Sequence, residues 1–349
     1  MEQKLKKHIL FLTPGFPEDE NDTSCIPALQ IFIRHLQSKQ LFSISVITFQ
    51  YPYRKNNYVW NGCDVYAIGG RNKKGFFRFL TWQEVLKTAN KIHKSNPIDQ
   101  VHSFWFTECA YVGNKISEKL YIPHSCTFMG QDALPDNNYL KKIKKLPQII
   151  TLSRFHAKTL KDGSGIESDF IIPWGIEEIE FPASQNKAID IVGVGNLIPL
   201  KAFDSFIKVV KEVKQQIPDI KAEIIGEGPE MENLQRLVEK NGLETNILLR
   251  GKMDRAEVLN RMGQSRCLLH LSDFESFGMV LIEARKMGAK VFSTRVGIAP
   301  EVNDITIIEN QAGASKKIIE FLLKQEKVFP MIRFPIEDTI QSYLENVFV

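Results

Sequence analysis

Short apolar runs alternate along the chain with stretches whose apolar positions recur every three to four residues. The first pattern suits buried strands and the second amphipathic helices, so their alternation predicts βαβ units on a parallel sheet. In the first half the strand-like runs are 9–13, 44–48, 100–104, 125–128 and 148–151, and the helical stretches are 28–38, 82–93, 110–119 and 154–162. The pattern breaks after a strand that ends at Ile171-Ile172-Pro173-Trp174-Gly175, and the polar, turn-rich 177–187 predicts a linker. It then restarts, with strands over 189–194, 221–225, 247–250, 267–271, 290–294 and 306–308 and helices over 202–216, 230–241, 254–262 and 278–287. The expectation is an α/β protein of two doubly wound, Rossmann-like domains, 1–175 and 176–334, with a last helix within 335–349. Two such domains bind ligands at the carboxyl ends of their strands, in the cleft where they face each other.

Composition agrees with two soluble cores: 349 residues, 43% hydrophobic and 25% charged. Cys25, Cys63, Cys109, Cys126 and Cys267 are scattered without a C-x-x-C pair, which argues against a disulfide framework or a zinc site and for a reducing cytoplasm. The apolar run after the basic start is too short for a signal peptide, and none approaches the roughly 20 residues that span a bilayer. A cytoplasmic protein, at most peripheral at the inner membrane face, is therefore expected. The net charge of +4 hides an asymmetry: residues 1–174 hold 23 Lys+Arg against 15 Asp+Glu, and residues 175–349 hold 22 against 26. Basic clusters at Lys4-Lys6-Lys7, Arg71-Lys73-Lys74 and Lys141-Lys142-Lys144-Lys145 are either solvated helix faces or a surface for anionic lipid or acidic glycan. Read as lacking interleaved aromatics and any recognised module, they predict no nucleic-acid partner.

The most informative stretch is Glu275-Ser276-Phe277-Gly278-Met279-Val280-Leu281-Ile282-Glu283. A turn feeding a helix start offers backbone N–H groups and the positive end of the dipole, where a diphosphate is stabilised. Carboxylates eight residues apart can flank that anion, one toward a sugar and one toward a ribose. The plain alternative is a helix with a solvated Glu at each end. The apolar neighbours of Glu283 (Val280, Leu281, Ile282 and Ala284) argue against it. This stretch resembles the E-x7-E signature of glycosyltransferase family four, the retaining nucleotide-sugar glycosyltransferases.

Other segments resemble the same family in the same order. Val194-Gly195-Asn196-Leu197-Ile198-Pro199-Leu200-Lys201 is similar to its V-G-x-L-x-x-x-K loop, with Asn196 where many members carry Arg. Ile225-Gly226-Glu227-Gly228-Pro229 matches a glycine turn that packs on the nucleotide base, and Val296-Gly297-Ile298-Ala299-Pro300-Glu301 resembles a G-G-x-x-E element, with Ile298 in place of the second Gly. Thr127-Phe128-Met129-Gly130-Gln131-Asp132 looks like the H-G-x-D segment, with Met129 in place of His; His102, at a strand end, reads as either a core histidine or a cleft residue.

The resemblance implies a GT-B fold whose last segment crosses back to the first domain. It implies a UDP- or GDP-sugar donor held by Gly195, Asn196, Gly226, Gly228, Ser276, Phe277, Gly278, Glu283 and Glu301. Lys201 and Glu275 would serve catalysis, and His102, Gly130 and Asp132 would face the acceptor or the transferred sugar. It further implies retention of configuration, no metal or cofactor, and a glycan or lipid-linked acceptor in cell-surface polysaccharide synthesis. The absence of D-x-D, G-x-G-x-x-G, G-x-S-x-G and H-E-x-x-H motifs is consistent with that reading. Asn196 and Met129 keep a non-catalytic or partner-dependent member open as an alternative, and the fold alone also admits a nucleotide-sugar epimerase.

Overall fold

Residues 6–178, 187–324, 326, 328–331 and 333–349 are described by a computed structural model of the chain. Lys4 of the first basic cluster and residues 179–186 of the expected linker lie outside them. The chain divides into two compact units, Met1–Gly175 with Ile336–Val349, and Ile176–Pro335.

The first unit contains, in order, β1 (Lys7–Gly15), α1 (Pro27–Ser38), β2 (Phe42–Tyr51), β3 (Asn56–Trp60), β4 (Cys63–Ala67), α2 (Phe76–Ser95), β5 (Gln100–Phe104), α3 (Glu108–Leu120), β6 (His124–Thr127), α4 (Tyr139–Lys142), β7 (Gln148–Thr151), α5 (Arg154–Ser164) and β8 (Phe170–Ile171). Its sheet runs β3-β4-β2-β1-β5-β6-β7-β8 and is parallel except for the β3–β4 hairpin at one edge. Leu10, Leu12, Ile47 and Val101 from the central strands meet Val85, Ala89 and Ile92 of α2 and Val112 and Ile116 of α3. Strands covered on both faces read as continuous apolar runs, which is why the central ones were expected from the sequence.

The second unit contains β9 (Ile189–Val194), α6 (Phe203–Lys214), β10 (Ala222–Ile225), α7 (Met231–Lys240), β11 (Ile247–Gly251), α8 (Arg255–Gly263), β12 (Ser265–His270), α9 (Met279–Lys286), β13 (Lys290–Ser293), β14 (Thr306–Ile307) and α10 (Gln311–Lys324). Its all-parallel sheet has the order β11-β10-β9-β12-β13-β14, the doubly wound arrangement. In α6 the buried Phe203, Phe206, Ile207, Val210 and Val213 fall at helical spacing, and they pack with Ile191, Ile224 and Leu269 of the sheet and Ile318 and Leu322 of α10.

The last helix, α11 (Ile336–Asn346), packs on α1 within the first unit. The Tyr343 hydroxyl is buried 2.6 Å from Thr127 Oγ1, and Gln100 donates to the Val347 carbonyl at 2.7 Å.

The structure differs from the expected elements at the periphery. The β3–β4 hairpin, α4 and α10 were not expected, and α2 begins six residues before the expected start at 82, whereas β8 coincides with the strand end expected at Ile171. Most of β3 is exposed, so its sequence Asn56-Asn57-Tyr58-Val59-Trp60 carries no apolar run. The first turn of α2 is exposed except at Arg78, which erases the apolar periodicity that marks a helix.

Candidate active site

Strands β9 and β12 are neighbours, and the chain moves away from them in opposite directions, to β10 and β11 on one side and to β13 and β14 on the other. Beyond the carboxyl ends of such a pair the loops separate and leave a crevice, the position at which doubly wound sheets take their ligands. The two loops that border it are 195–202 after β9 and 271–278 after β12, the two stretches on which the resemblance rests.

These loops are stitched together. Asp273 N–H donates to the Leu200 carbonyl at 2.9 Å, and the Ser272 hydroxyl donates to the same oxygen at 3.1 Å. Lys201, at the end of a 3₁₀ turn over Pro199–Lys201, places its ammonium directly on Glu275 Oε1. His270 Nε2, from the end of β12, lies 3.0 Å from the same carboxylate oxygen. Burial pushes the Glu275 carboxyl up, but His270 and Lys201 together outweigh it and hold the group down at about 2. Glu275 is therefore an anion across the physiological range and accepts hydrogen bonds there; it cannot donate a proton.

A pH dependence follows with a fixed sign. The folded-state value of Glu275 lies below its ordinary 4.5, so the group contributes stability above pH 4.5 that disappears as the pH falls toward 2. Denaturant titrations across that window should show wild type losing stability more steeply than Glu275→Gln; parallel slopes would contradict the assignment.

Helix α9 starts at Met279 after Gly278, whose φ of 89° is left-handed, and no side chain caps its first turn. No cap side chain therefore competes for the N–H groups of that turn, of which Leu281 N–H donates to the Gly278 carbonyl at 2.9 Å. Glu283, one turn further in, is paired with Arg255 of α8, whose Nη2 lies 2.8 Å from Oε1. Asp254 caps α8 by accepting from Glu257 N–H at 2.8 Å, which fixes where Arg255 emerges. Ser276 is buried, and the Phe277 ring packs edge-on against Phe334 with centroids 5.6 Å apart, so Phe277 can offer a ligand its backbone and not its ring.

Gly226 and Gly228 have φ of 148° and 157°. A Cβ on Gly226 would collide with the Gly195 carbonyl, and one on Gly228 with the Leu197 backbone. The β10 loop therefore lies directly on the β9 loop, with Gly195 N–H donating to Ile225 O at 3.0 Å and Leu197 N–H to Glu227 O at 2.8 Å. The glycines are expected to let a flat base pack closely; in the structure the space a Cβ would take at each is filled by protein backbone, so a larger residue does not fit. Gly297 has the same function on the other side, against the Phe277 carbonyl, and Glu301 ends the 3₁₀ turn Ala299–Glu301 that follows it. Asn196 is exposed at the tip of the β9 loop.

In the first unit, His102 is fully buried, ringed by Phe11, Phe104, Tyr343 and Phe348, and bonded to Ser125 Oγ at 2.7 Å. Burial holds it neutral, well below the ordinary imidazole value. It is a core histidine, and the expected role toward the acceptor or sugar is not supported by its position. Asp132 accepts from the N–H groups of Phe106 at 2.7 Å, Gly130 at 2.7 Å and Met129 at 3.1 Å. Burial lifts its carboxyl to about 6 despite these donors. With its oxygens committed to the loop, Asp132 shapes the 128–132 segment instead of reaching outward. Gly130 is open: a Cβ there would meet nothing within contact distance.

Sequence reasoning missed His270 and Arg255. His270 had a usable signal, a polar residue at the carboxyl end of an apolar strand, five residues before Glu275. Arg255 had none, because its partner Glu283 lies 28 residues away on another helix.

Residues 176–331 match the sequence model of the family described as Glycosyl transferases group 1. The chain carries a group 1 glycosyltransferase domain. A subunit of the human phosphatidylinositol N-acetylglucosaminyltransferase is 33% identical over 135 residues, 38% of this chain and 28% of that protein. The N-acetyl-alpha-D-glucosaminyl L-malate synthase of Bacillus anthracis is 35% identical over 127 residues, 35% of this chain and 31% of that protein. The chain thus spans about a third of the length of these curated relatives. Among solved structures, Anabaena HepE in complex with UDP and glucose is similar over 98% of this chain and 99% of its own, with a TM-score of 0.72 and 16% identity. The fold is GT-B, with two Rossmann-like units. No helix of the described residues is long and apolar enough to cross a membrane, and no cluster of His, Cys, Asp and Glu among them could hold a metal ion.

Proposed function

We propose that the chain transfers a sugar, with retention of configuration and without a metal, from a UDP- or GDP-sugar to a glycan or lipid-linked acceptor in cell-surface polysaccharide synthesis. The observation that carries this reading is the meeting of Lys201, Glu275 and the uncapped start of α9 at the switch point of the second sheet.

The leaving diphosphate gains negative charge as the glycosidic bond stretches. Lys201 and the N–H groups at the turn into α9 meet that charge with fixed positive potential, which lowers the barrier because it is in place before the reaction begins. Glu275, ionised, holds Lys201 in position and accepts hydrogen bonds from sugar hydroxyls. Glu283 accepts from the ribose, with Arg255 fixing its orientation. Attack from the face the diphosphate leaves gives retention without a carboxylate nucleophile. The names of both curated relatives include an N-acetylglucosaminyl group, which makes UDP-N-acetylglucosamine the first donor to test. The first unit, with its basic surface, takes the acceptor and brings the protein to an anionic membrane face.

The test is incubation with a panel of labelled UDP- and GDP-sugars, with and without lipid extracts and glycan acceptors. Acceptor-dependent release of the nucleoside diphosphate and a product of unchanged anomeric configuration are expected. Isomerised donor without transfer would assign the chain to epimerase chemistry, and no turnover with intact UDP binding would make it a non-catalytic member.

A further inference from the structure

The segment Arg71-Asn72-Lys73-Lys74-Gly75-Phe76-Phe77-Arg78-Phe79-Leu80 contains four cations, three phenylalanines and no carboxylate. In a soluble core its aromatic side chains would be inside. Here Phe76 is 69% exposed, Phe77 57%, Phe79 48% and Leu80 46%. Large apolar side chains this exposed and this close together mark a surface that meets something else. The sequence expectation that the basic clusters lack interleaved aromatics fails at this segment.

Local structure holds the patch out. Arg71 and Asn72 both have positive φ, and Arg71 Nε donates to the Tyr53 carbonyl at 2.7 Å, which anchors the turn. Gly75, with φ of 62°, then starts α2 abruptly and no side chain caps it, so the first turn of the helix projects beyond the core with Phe76 and Phe77 on it. The phenylalanines touch one another, with Phe76 centroids 6.4 Å from Phe77 and 6.5 Å from Phe79. Lys73 Nζ lies 4.9 Å over the Phe77 ring. Exposed Tyr53 and Arg54 extend the same surface, and Arg71, Lys73 and Lys74 are exposed beside it. Arg78 is half-buried and turns inward, 3.7 Å from Glu108.

We propose that this start of α2, residues 71–80, docks on an anionic lipid bilayer, with the phenylalanines entering the interface and Arg71, Lys73 and Lys74 meeting headgroup phosphates. The ring-and-cation mixture favours this occupant. Aromatic side chains settle at the headgroup level, and clustered Lys and Arg are drawn to anionic leaflets. The patch follows β4, at the carboxyl edge of the first sheet, the edge at which such sheets receive ligands. This inference deepens the membrane part of the proposed function by naming where contact is made, and it rests on that part alone.

The experiment is co-sedimentation of the full chain with phosphatidylcholine vesicles, with and without phosphatidylglycerol. Binding is expected only with the anionic lipid. It should weaken as salt rises from about 0.1 M to about 1 M, where screening shortens from ~10 Å to ~3 Å. Phe76→Ser with Phe77→Ser, and separately Lys73→Glu with Lys74→Glu, should each lower binding by about tenfold or more. These side chains are exposed, so the fold is expected to survive, and calorimetric UDP binding serves as the control. Failure of wild type to bind anionic vesicles would overturn the proposal, as would equal binding to neutral ones or binding unchanged in both variants. A change of oligomeric state in the serine variant without any vesicle binding would make the patch a protein interface and overturn it too. Vesicle binding that persists in a chain that takes no UDP would count against the donor site and leave this proposal standing.

Discussion

Replacing Lys201 by Ala should lower kcat by about two to three orders of magnitude, the usual effect of deleting one electrostatic contact to a developing charge. The ammonium is held on Glu275 between two loops that hydrogen-bond to each other, so its position does not depend on the donor arriving. An arm fixed in advance stabilises the transition state without reorganising. The substitution also leaves Glu275 with His270 as its remaining close side-chain neighbour, which should cost about 1–3 kcal/mol of stability. That is a fraction of what a domain this size has, so the variant stays folded and the loss is read as chemistry. Lys201→Arg keeps the charge with a different reach and should recover part of the rate. Steady-state kinetics with the best donor, alongside denaturant midpoints, check this; a kcat within a few-fold of wild type in Lys201→Ala would remove Lys201 from the mechanism.

The second large effect is structural. Gly226→Ala puts a methyl group into the Gly195 carbonyl at a φ of 148°, a region that L side chains rarely adopt. Backbone strain of ~1–3 kcal/mol and a comparable overpacking term together predict a loss of about 2–5 kcal/mol. The β10 loop cannot yield without displacing the β9 loop, because Gly195 and Leu197 hydrogen-bond across it. Lys201 moves with that loop, so nucleotide affinity should fall together with stability. Urea unfolding with an unchanged slope and a lowered midpoint, plus weaker UDP binding, are expected. A variant of wild-type stability would mean that the loops do not lock each other.

What the sequence revealed and what it concealed divide along burial. Strands covered on both faces, such as β1, β9 and β12, announce themselves as apolar runs, and α6 does so through its regular spacing. The switch-point loops were legible because their chemistry is carried by neighbours in sequence, Glu275 through Glu283 and Gly195 through Lys201. Interactions set by tertiary structure were not legible. Nothing local ties Arg255 to Glu283, and nothing local says that Phe106 N–H, 26 residues away, donates to Asp132. His102 remained ambiguous because a strand end can face a crevice or a core; the aromatic side chains of Tyr343 and Phe348, more than 200 residues away, decide for the core. The edge hairpin β3–β4 and the start of α2 escaped for the opposite reason, since exposure removes the apolar pattern on which reading depends.

The decisive measurement is a structure of the chain with UDP bound. The pyrophosphate is expected in the crevice beyond β9 and β12, within hydrogen-bond reach of Lys201 Nζ and of the N–H groups at the start of α9, with the ribose hydroxyls on Glu283. A nucleotide bound elsewhere on the second unit, or Lys201 still closed on Glu275 with the diphosphate out of reach, would contradict it.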